Sequence, residues 1–279
     1  MLASLFGISW ATPFLVAALY GCIRYFSKND EDSKNKINWN PLEAVCITVA
    51  IYFVSQFLGA IIVFVLPLIR GWSLEQTSTW LDNNPYGQFL LVLAIEAITV
   101  GLLYYFIKRR KSSFKSIGLK KPQWRDLTYV LLGYAAYFMA FSLVLIVVKQ
   151  AIPSLNTNQQ QQLGFDNAKG LQLPFVFISL VILPPFVEEL LVRGFLYSGL
   201  KKGMPIIWAV LITSAIFATA HLQAGSGAAL LWPAALDTFV LSLTLIYLKE
   251  KTGSLAACIG LHMLKNFVAF LGLFVFHWM

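Results

Sequence analysis

The residues of this chain with the greatest chemical reach stand in three short runs of its C-terminal third. They read Glu188-Glu189-Leu190-Leu191-Val192-Arg193, Phe217-Ala218-Thr219-Ala220-His221 and His262-Met263-Leu264-Lys265-Asn266. Each run contains a four-residue step, which on a helix puts both ends on one face. Glu189 and Arg193 are thereby expected to form a charge-assisted pair. Glu188, about 100° further around a regular helix, then points elsewhere as a free carboxylate, the group a general base needs. Phe217 shares a face with His221, and His262 shares one with Asn266. Imidazole and carboxamide both donate hydrogen bonds without adding a buried charge, and two donors aimed at one point suit a developing oxyanion. A carboxylate, a neighbouring imidazole and two neutral donors form a set able to activate water and hydrolyse an amide. Pro184 and Pro185, one turn before the glutamates, lack backbone donors, so the helix is expected to bend or open there and admit water.

The elements that must position these groups are membrane helices. The chain has 279 residues, of which 58% are hydrophobic and 12% charged, with mean hydropathy +0.70. A soluble domain usually carries roughly 25% charged residues. Apolar runs of bilayer length are read at 2–23, 42–66, 87–107, 127–148, 172–200, 204–222, 228–248 and 254–277. The expected fold is an all-α integral membrane protein of about eight transmembrane helices, with a bundled core in the last four. The seventh span is expected to kink at Trp232-Pro233. The apolar start at Met1–Ala18, with no basic segment before it, predicts a retained first helix rather than a cleaved signal.

The net charge of +8 sits in short loops rather than on an aromatic-interleaved face, so a nucleic-acid partner is not expected. Loops after odd-numbered spans hold sixteen Lys and Arg, and loops after even-numbered spans hold three. That bias places the odd loops in the cytoplasm and both termini outside. The lipid bilayer and a peptide or membrane-protein substrate are the expected partners, the location is the cell membrane, and the site is expected to open to the cytoplasm. Ionisable groups at bilayer depth cost about 2.5–3.5 kcal/mol and are functional candidates by default. Along straight helices Glu188 lies ~20 Å from Lys201, His221 ~25 Å from Met204 and His262 ~12 Å from Ser254. These heights converge if the tail of the fifth span after Arg193, and the start of the sixth, project into the cytoplasm.

Other features carry milder expectations. Glu96 and Asp237 read as glue between helices, and Lys265 as packing beside the site or snorkelling. Cys22, Cys46 and Cys258 read as small core residues, and His277 as interfacial. In the basic loop Lys108–Asp126, Phe114, Ile117, Leu119 and Trp124 look buried. Thr77–Tyr86 reads as an interfacial loop with a Trp anchor, and Asn156–Gln162 as a polar outer loop.

At the three runs the chain resembles the type II CAAX prenyl protease and bacteriocin-processing (Abi) family of intramembrane proteases. That family's pattern is Glu-Glu-x-x-x-Arg, Phe-x-x-x-His and His-x-x-x-Asn on separate helices, and it is met here in order at Glu188–Arg193, Phe217–His221 and His262–Asn266. The prolines before the glutamates, Arg193-Gly194 after them and Lys251–Leu255 before the last run extend the likeness over roughly 172–270. The resemblance implies that Glu188 activates the attacking water with help from His221. It implies that His262 and Asn266 stabilise the oxyanion, that Glu189 and Arg193 support the site, and that Phe217 packs against it. It implies an endopeptidase that needs no metal or other cofactor. The implied organisation is four family-variable helices in 1–150, a polar outer loop at 151–171 and a catalytic core at 172–279. The chain ends soon after the third run, where prenyl-processing relatives have one more helix, so the substrate class stays open. Three other readings remain: a non-catalytic immunity or scaffold protein of the same fold, a zinc protease using Glu188, His221 and His262, and a transporter using Glu96 and Asp237.

Overall fold

The computed structural model describes residues 36–155, 165, 168–222 and 230–277. The expected first span, Cys22 and the Asn156–Gln162 loop lie outside them. Helix α1 spans Pro41–Ile69, α2 Leu74–Asn83, α3 Pro85–Arg109 and α4 Trp124–Ala151. Helix α5 runs over Gly170–Gly203, followed by α6 Ile206–Ala220, α7 Trp232–Thr252 and α8 Ala256–Val275. Five of these (α1, α3, α4, α5 and α8) are long and apolar enough to cross a membrane. No strand occurs among the described residues. The chain is an all-helical integral membrane protein.

Two expected features take a different form. Thr77–Tyr86 is mostly helix, because Ser73 and Gln76 close a capping box that satisfies the first free amides of α2. Asn84 then accepts from the amides of Tyr86 and Gly87 and starts α3 immediately. The seventh span does not kink at Trp232-Pro233. It begins there, since Pro233 sits in the first turn of α7, where a missing N–H costs nothing. At its other end Gly253, in the left-handed region (φ 60°), closes α7 by donating to the Lys249 carbonyl.

Helices α1 and α3 pack as an antiparallel pair, tied at one end by the Glu43–Arg110 ion pair. Their shared face meets α5. Trp39, just before α1, stacks on Phe195 with ring centroids 4.5 Å apart and donates from Nε1 to the Phe195 carbonyl at 3.2 Å. The approach is close enough to require Gly199, where a Cβ would lie 2.5 Å from the indole nitrogen and 2.6 Å from the Ala44 Cβ. Trp39, Ile47, Leu103, Ile107 and Ile117 form one buried cluster with Leu190, Phe195, Leu196, Tyr197 and Phe217. The tail of α5 after Arg193 is therefore packed against protein, with Phe195, Leu196, Tyr197 and Leu200 buried.

A second cluster joins α4, α7 and α8 through Val130, Tyr137, Leu241, Leu245, Cys258 and Leu261. Cys46 is also buried. The outer side of α4 exposes Leu131, Leu132, Phe138, Met139 and Leu143, as a lipid-facing helix must. In the basic loop Ile117 is buried and Phe114 and Leu119 pack against the first cluster, but Trp124 is 90% exposed. Starting α4, it stands free of the fold where an interfacial aromatic would sit.

Candidate active site

Helix α5 is not wound uniformly. It passes through π turns at Ile178–Ile182 and Glu189–Leu196, with a regular segment Leu183–Glu188 between them. Pro184 and Pro185 account for the first departure. A regular helix would bond their amides to the carbonyls of Leu180 and Val181, and proline has no amide hydrogen to give. The freed Leu180 carbonyl does not go unpaired: Asn266 of α8 donates to it from Nδ2 at 2.8 Å. Two helices are thus joined at the place where proline opened one of them.

The second π turn begins at Glu189, so the two glutamates straddle a winding change. They do not diverge as a regular helix predicts. Glu189 Oε1 lies 3.0 Å from His262 Nδ1, and Glu188 Oε2 lies 3.8 Å from Nε2 of the same ring. The imidazole sits between two carboxylates. Glu189 also accepts from Arg193 Nη1 at 2.9 Å, with both side chains fully buried. The Arg193 guanidinium rests over the Phe217 ring, 4.1 Å from its centroid, gaining cation–π attraction in a desolvated setting. Phe217 meets the His221 ring edge-on at 4.6 Å and the His262 ring at 6.0 Å. Glu188, Glu189, Arg193, Phe217, His221 and His262 are therefore brought together from three helices, while Asn266, one turn after His262 on α8, is spent on the Leu180 carbonyl at the opened turn of α5.

Hydrogen-bond partners fix the ring tautomers. His221 Nδ1 lies 2.9 Å from the Phe217 carbonyl, which can only accept, so Nδ1 carries the proton and Nε2 presents a lone pair. His262 Nδ1 faces the ion-paired Glu189 carboxylate and carries a proton for the same reason. A neutral His262 thus presents a lone pair, not an N–H, towards Glu188. Donation from Nε2 requires a second proton on the ring, which differs from the neutral donor that spacing suggests. Asn266 spends one N–H on Leu180 and keeps one. Among the described residues, Glu188 Oε2, Glu189 Oε2, Arg193 Nε and Arg193 Nη2 are buried without a hydrogen-bond partner, which is a concentration of unused polar capacity at one place. No three His, Cys, Asp or Glu side chains among them are gathered as a metal-ligand set.

Other residues reach the site that spacing does not reveal. Lys265 pairs with Asp237 of α7 at 2.7 Å, and Asp237 accepts from the Tyr137 hydroxyl of α4. Asp237 is thus helix–helix glue, though with a charged partner. Glu96 of α3 and Tyr52 of α1 lie within electrostatic reach of Glu188. Lys249 of α7 is buried and donates to the Arg193 carbonyl, to Ile117 O at 3.3 Å and to Ser198 Oγ at 2.7 Å. It pins the π turn to the basic loop. Lys249→Met is expected to destabilise the fold by about 1–3 kcal/mol, since the orphaned acceptors lose their donor. A lowered thermal midpoint in detergent would register it, and an unchanged one would show the bonds to be dispensable.

Residues 170–268 match the family model described as type II CAAX prenyl endopeptidase Rce1-like. Over that stretch the chain is similar to that family. The Rce1-like region runs from the start of α5 into α8 and contains all seven residues singled out by spacing. A curated relative, the membrane-embedded CAAX protease MroQ of Staphylococcus aureus (strain USA300), is 29% identical in an alignment of 186 residues that covers 64% of this chain and 72% of the relative. That likeness extends beyond the Rce1-like region into the rest of the chain, as 186 residues exceed the span 170–268. No solved structure matches the chain.

Proposed function

We propose that this protein is an intramembrane endopeptidase that cleaves membrane-associated or lipidated peptides with a water activated by Glu188. The observation that carries this reading is His262 standing between Glu188 and the Glu189–Arg193 pair. In the proposed cycle Glu188 takes a proton from water while the water oxygen bonds to the scissile carbonyl carbon. The carbonyl electron pair moves to its oxygen. His221 Nε2 accepts a hydrogen bond from the water's other O–H and so orients the attacking lone pair, the hydrogen staying on the oxygen. The remaining Asn266 N–H and a doubly protonated His262, balanced by its flanking carboxylates, meet the oxyanion. Collapse reforms the carbonyl, breaks the C–N bond and passes the proton from Glu188 to the leaving nitrogen. One water is consumed, and Glu188 returns to its starting state.

The Rce1-like match and the name of the relative support a protease. The basic-loop asymmetry supports a site open to the cytoplasm, with the termini outside. A metal has no step in this cycle. Cleavage of a panel of lipidated and unlipidated peptides by the purified protein in detergent is therefore expected to persist in excess chelator. Loss on chelation, with recovery on adding zinc, would move the assignment to a metalloprotease. A Glu188→Ala protein that keeps its full cellular role would favour immunity or scaffolding.

A further inference from the structure

One end of the bundle is strongly basic. Among the described residues, the segment before α1, the α3–α4 loop and the turns joining α5 to α6 and α7 to α8, with the helix ends they connect, carry thirteen Lys and Arg against three Asp and Glu. The three carboxylates are already engaged, Glu43 by Arg110, Asp126 by the Gln123 amide and Glu250 by Lys201. Lys115, Lys121 and Arg125 of the α3–α4 loop are exposed. The loop that displays them is folded, not slack. Ser113 and Ser116 each accept from the other's amide, Leu119 donates to the Phe114 carbonyl at 3.0 Å, and Gly118 takes a positive φ of 99°. Membrane orientation requires the charge but not this order. An ordered display lowers the entropy cost of holding a ligand.

Aromatic rings mark the level at which the cations stand. Lys108 Nζ lies 5.5 Å from the Tyr104 ring centre, Arg109 Cζ 5.9 Å from that of Tyr105 and Lys251 Nζ 5.8 Å from that of Tyr247. All three rings are exposed on the outside of their helices, so these cations lean along the lipid-facing flank. Exposed Trp124 heads a stripe with Leu127 and Leu131 down α4, and Arg125 follows it. Tyr and Trp beside Lys and Arg at helix ends belong to the headgroup layer. The ligand chemistry that fits this face is the phosphate of an anionic phospholipid.

The same loop touches the site. Ile117 packs so closely on Gly194 that a Cβ there would lie 2.8 Å from Ile117 Cδ1. Lys249 donates to both the Ile117 and the Arg193 carbonyls, and the Leu255 amide donates to the Gly118 carbonyl at 2.8 Å. Arg193 in turn holds Glu189. We propose that the α3–α4 loop, through Lys115, Lys121 and Arg125, binds anionic phospholipid headgroups, and that this binding steadies the Glu189–Arg193 turn through Ile117. Only the consequence for cleavage rests on the protease reading.

Purified protein in a neutral detergent tests both parts without a substrate. Phosphatidylglycerol is expected to raise the thermal midpoint by several degrees, while phosphatidylcholine at the same mole fraction and inorganic phosphate leave it unchanged. The gain is expected to shrink at about 0.5 M salt, where charges are screened within a few ångströms. Lys115→Gln/Lys121→Gln/Arg125→Gln is expected to lose most of the gain, and Arg70→Gln/Lys149→Gln at the opposite end to keep it. Should the triple variant melt early in phosphatidylcholine, Lys121→Gln and Arg125→Gln alone locate the site by their partial losses. Amide hydrogen exchange over 189–196 is expected to slow several-fold when phosphatidylglycerol is added to the parent. Equal midpoints in the two lipids overturn lipid binding and leave the loop an orientation signal. An equal gain from inorganic phosphate makes the ligand a free anion, and a gain from polyglutamate alone makes it an acidic protein segment; either overturns the proposal. A full gain in the folded triple variant removes the site from this loop, and a gain with unchanged exchange over 189–196 removes the coupling. With a cleaved peptide, kcat is expected to rise several-fold in phosphatidylglycerol. If no peptide is cut in either lipid, the protease reading fails while the midpoints and exchange still decide the lipid site.

Discussion

Glu188→Gln is expected to lower kcat/KM by about 10²–10⁴-fold, the usual worth of a general base, with thermal stability close to the parent's. The substitution keeps shape and volume and removes only the ability to take a proton. The local fold should tolerate it, because Glu188 makes no hydrogen bond in the structure and its nearest ionic contact is 3.8 Å from His262. The neighbouring Glu189 is not expected to stand in, since its side chain is fully buried and ion-paired with Arg193. Kinetics on one cleaved peptide, with a melting curve on the same preparation, make the test. An active Glu188→Gln protein would remove Glu188 as the base, and a parallel collapse of stability would make its role structural.

Arg193→Met carries the largest expected cost in stability, about 3–5 kcal/mol, the penalty for leaving a buried charge without its partner. Glu189 and Arg193 are both fully buried, so solvent cannot take over from the lost guanidinium. Phe217 also loses the cation that covers its ring. Removing both charges in Glu189→Gln/Arg193→Met is expected to recover much of that stability but not activity, because the proton on His262 Nδ1 then faces a neutral amide. Denaturant or thermal unfolding of both variants in detergent gives the answer. A double variant no more stable than Arg193→Met would mean that the ring packing, rather than the charge, dominates.

Much of this arrangement was legible in the amino-acid order. The membrane fold follows from composition and apolar run length, and four-residue steps correctly placed Glu189 against Arg193 and Phe217 against His221, because both are local helix geometry. Steps of that kind say nothing about partners far away in the chain. His262 reaches Glu189 across 73 positions, and Tyr137 reaches Asp237 across 100, so Lys265 read only as packing beside the site or snorkelling, with no partner named. The winding of α5 was half legible: Pro184-Pro185 announced an opening, but not that it would take the form of π turns, nor that Asn266 would occupy the freed carbonyl. The divergence expected of Glu188 and Glu189 assumed regular winding and failed where the winding changes. Trp124 misled through its type, since hydrophobicity alone cannot separate a buried ring from one that belongs at an interface.

The stacking of Trp39 on Phe195 and over Gly199 bears on how this protein can be divided. The family-matching stretch 170–268 does not own its interior: one wall of the cluster that encloses Leu190, Phe195 and Tyr197 is supplied by residues before position 120. A fragment beginning at Gly170 would carry all the chemistry and yet present that unclad face, with the freed Phe195 carbonyl at its centre, to lipid or detergent. Swapping the N-terminal helices between relatives is therefore not a neutral exchange of peripheral parts. A chimera would need to carry its Trp39 and Gly199 equivalents as a matched lock, and variation in the early helices is constrained wherever it touches that seam.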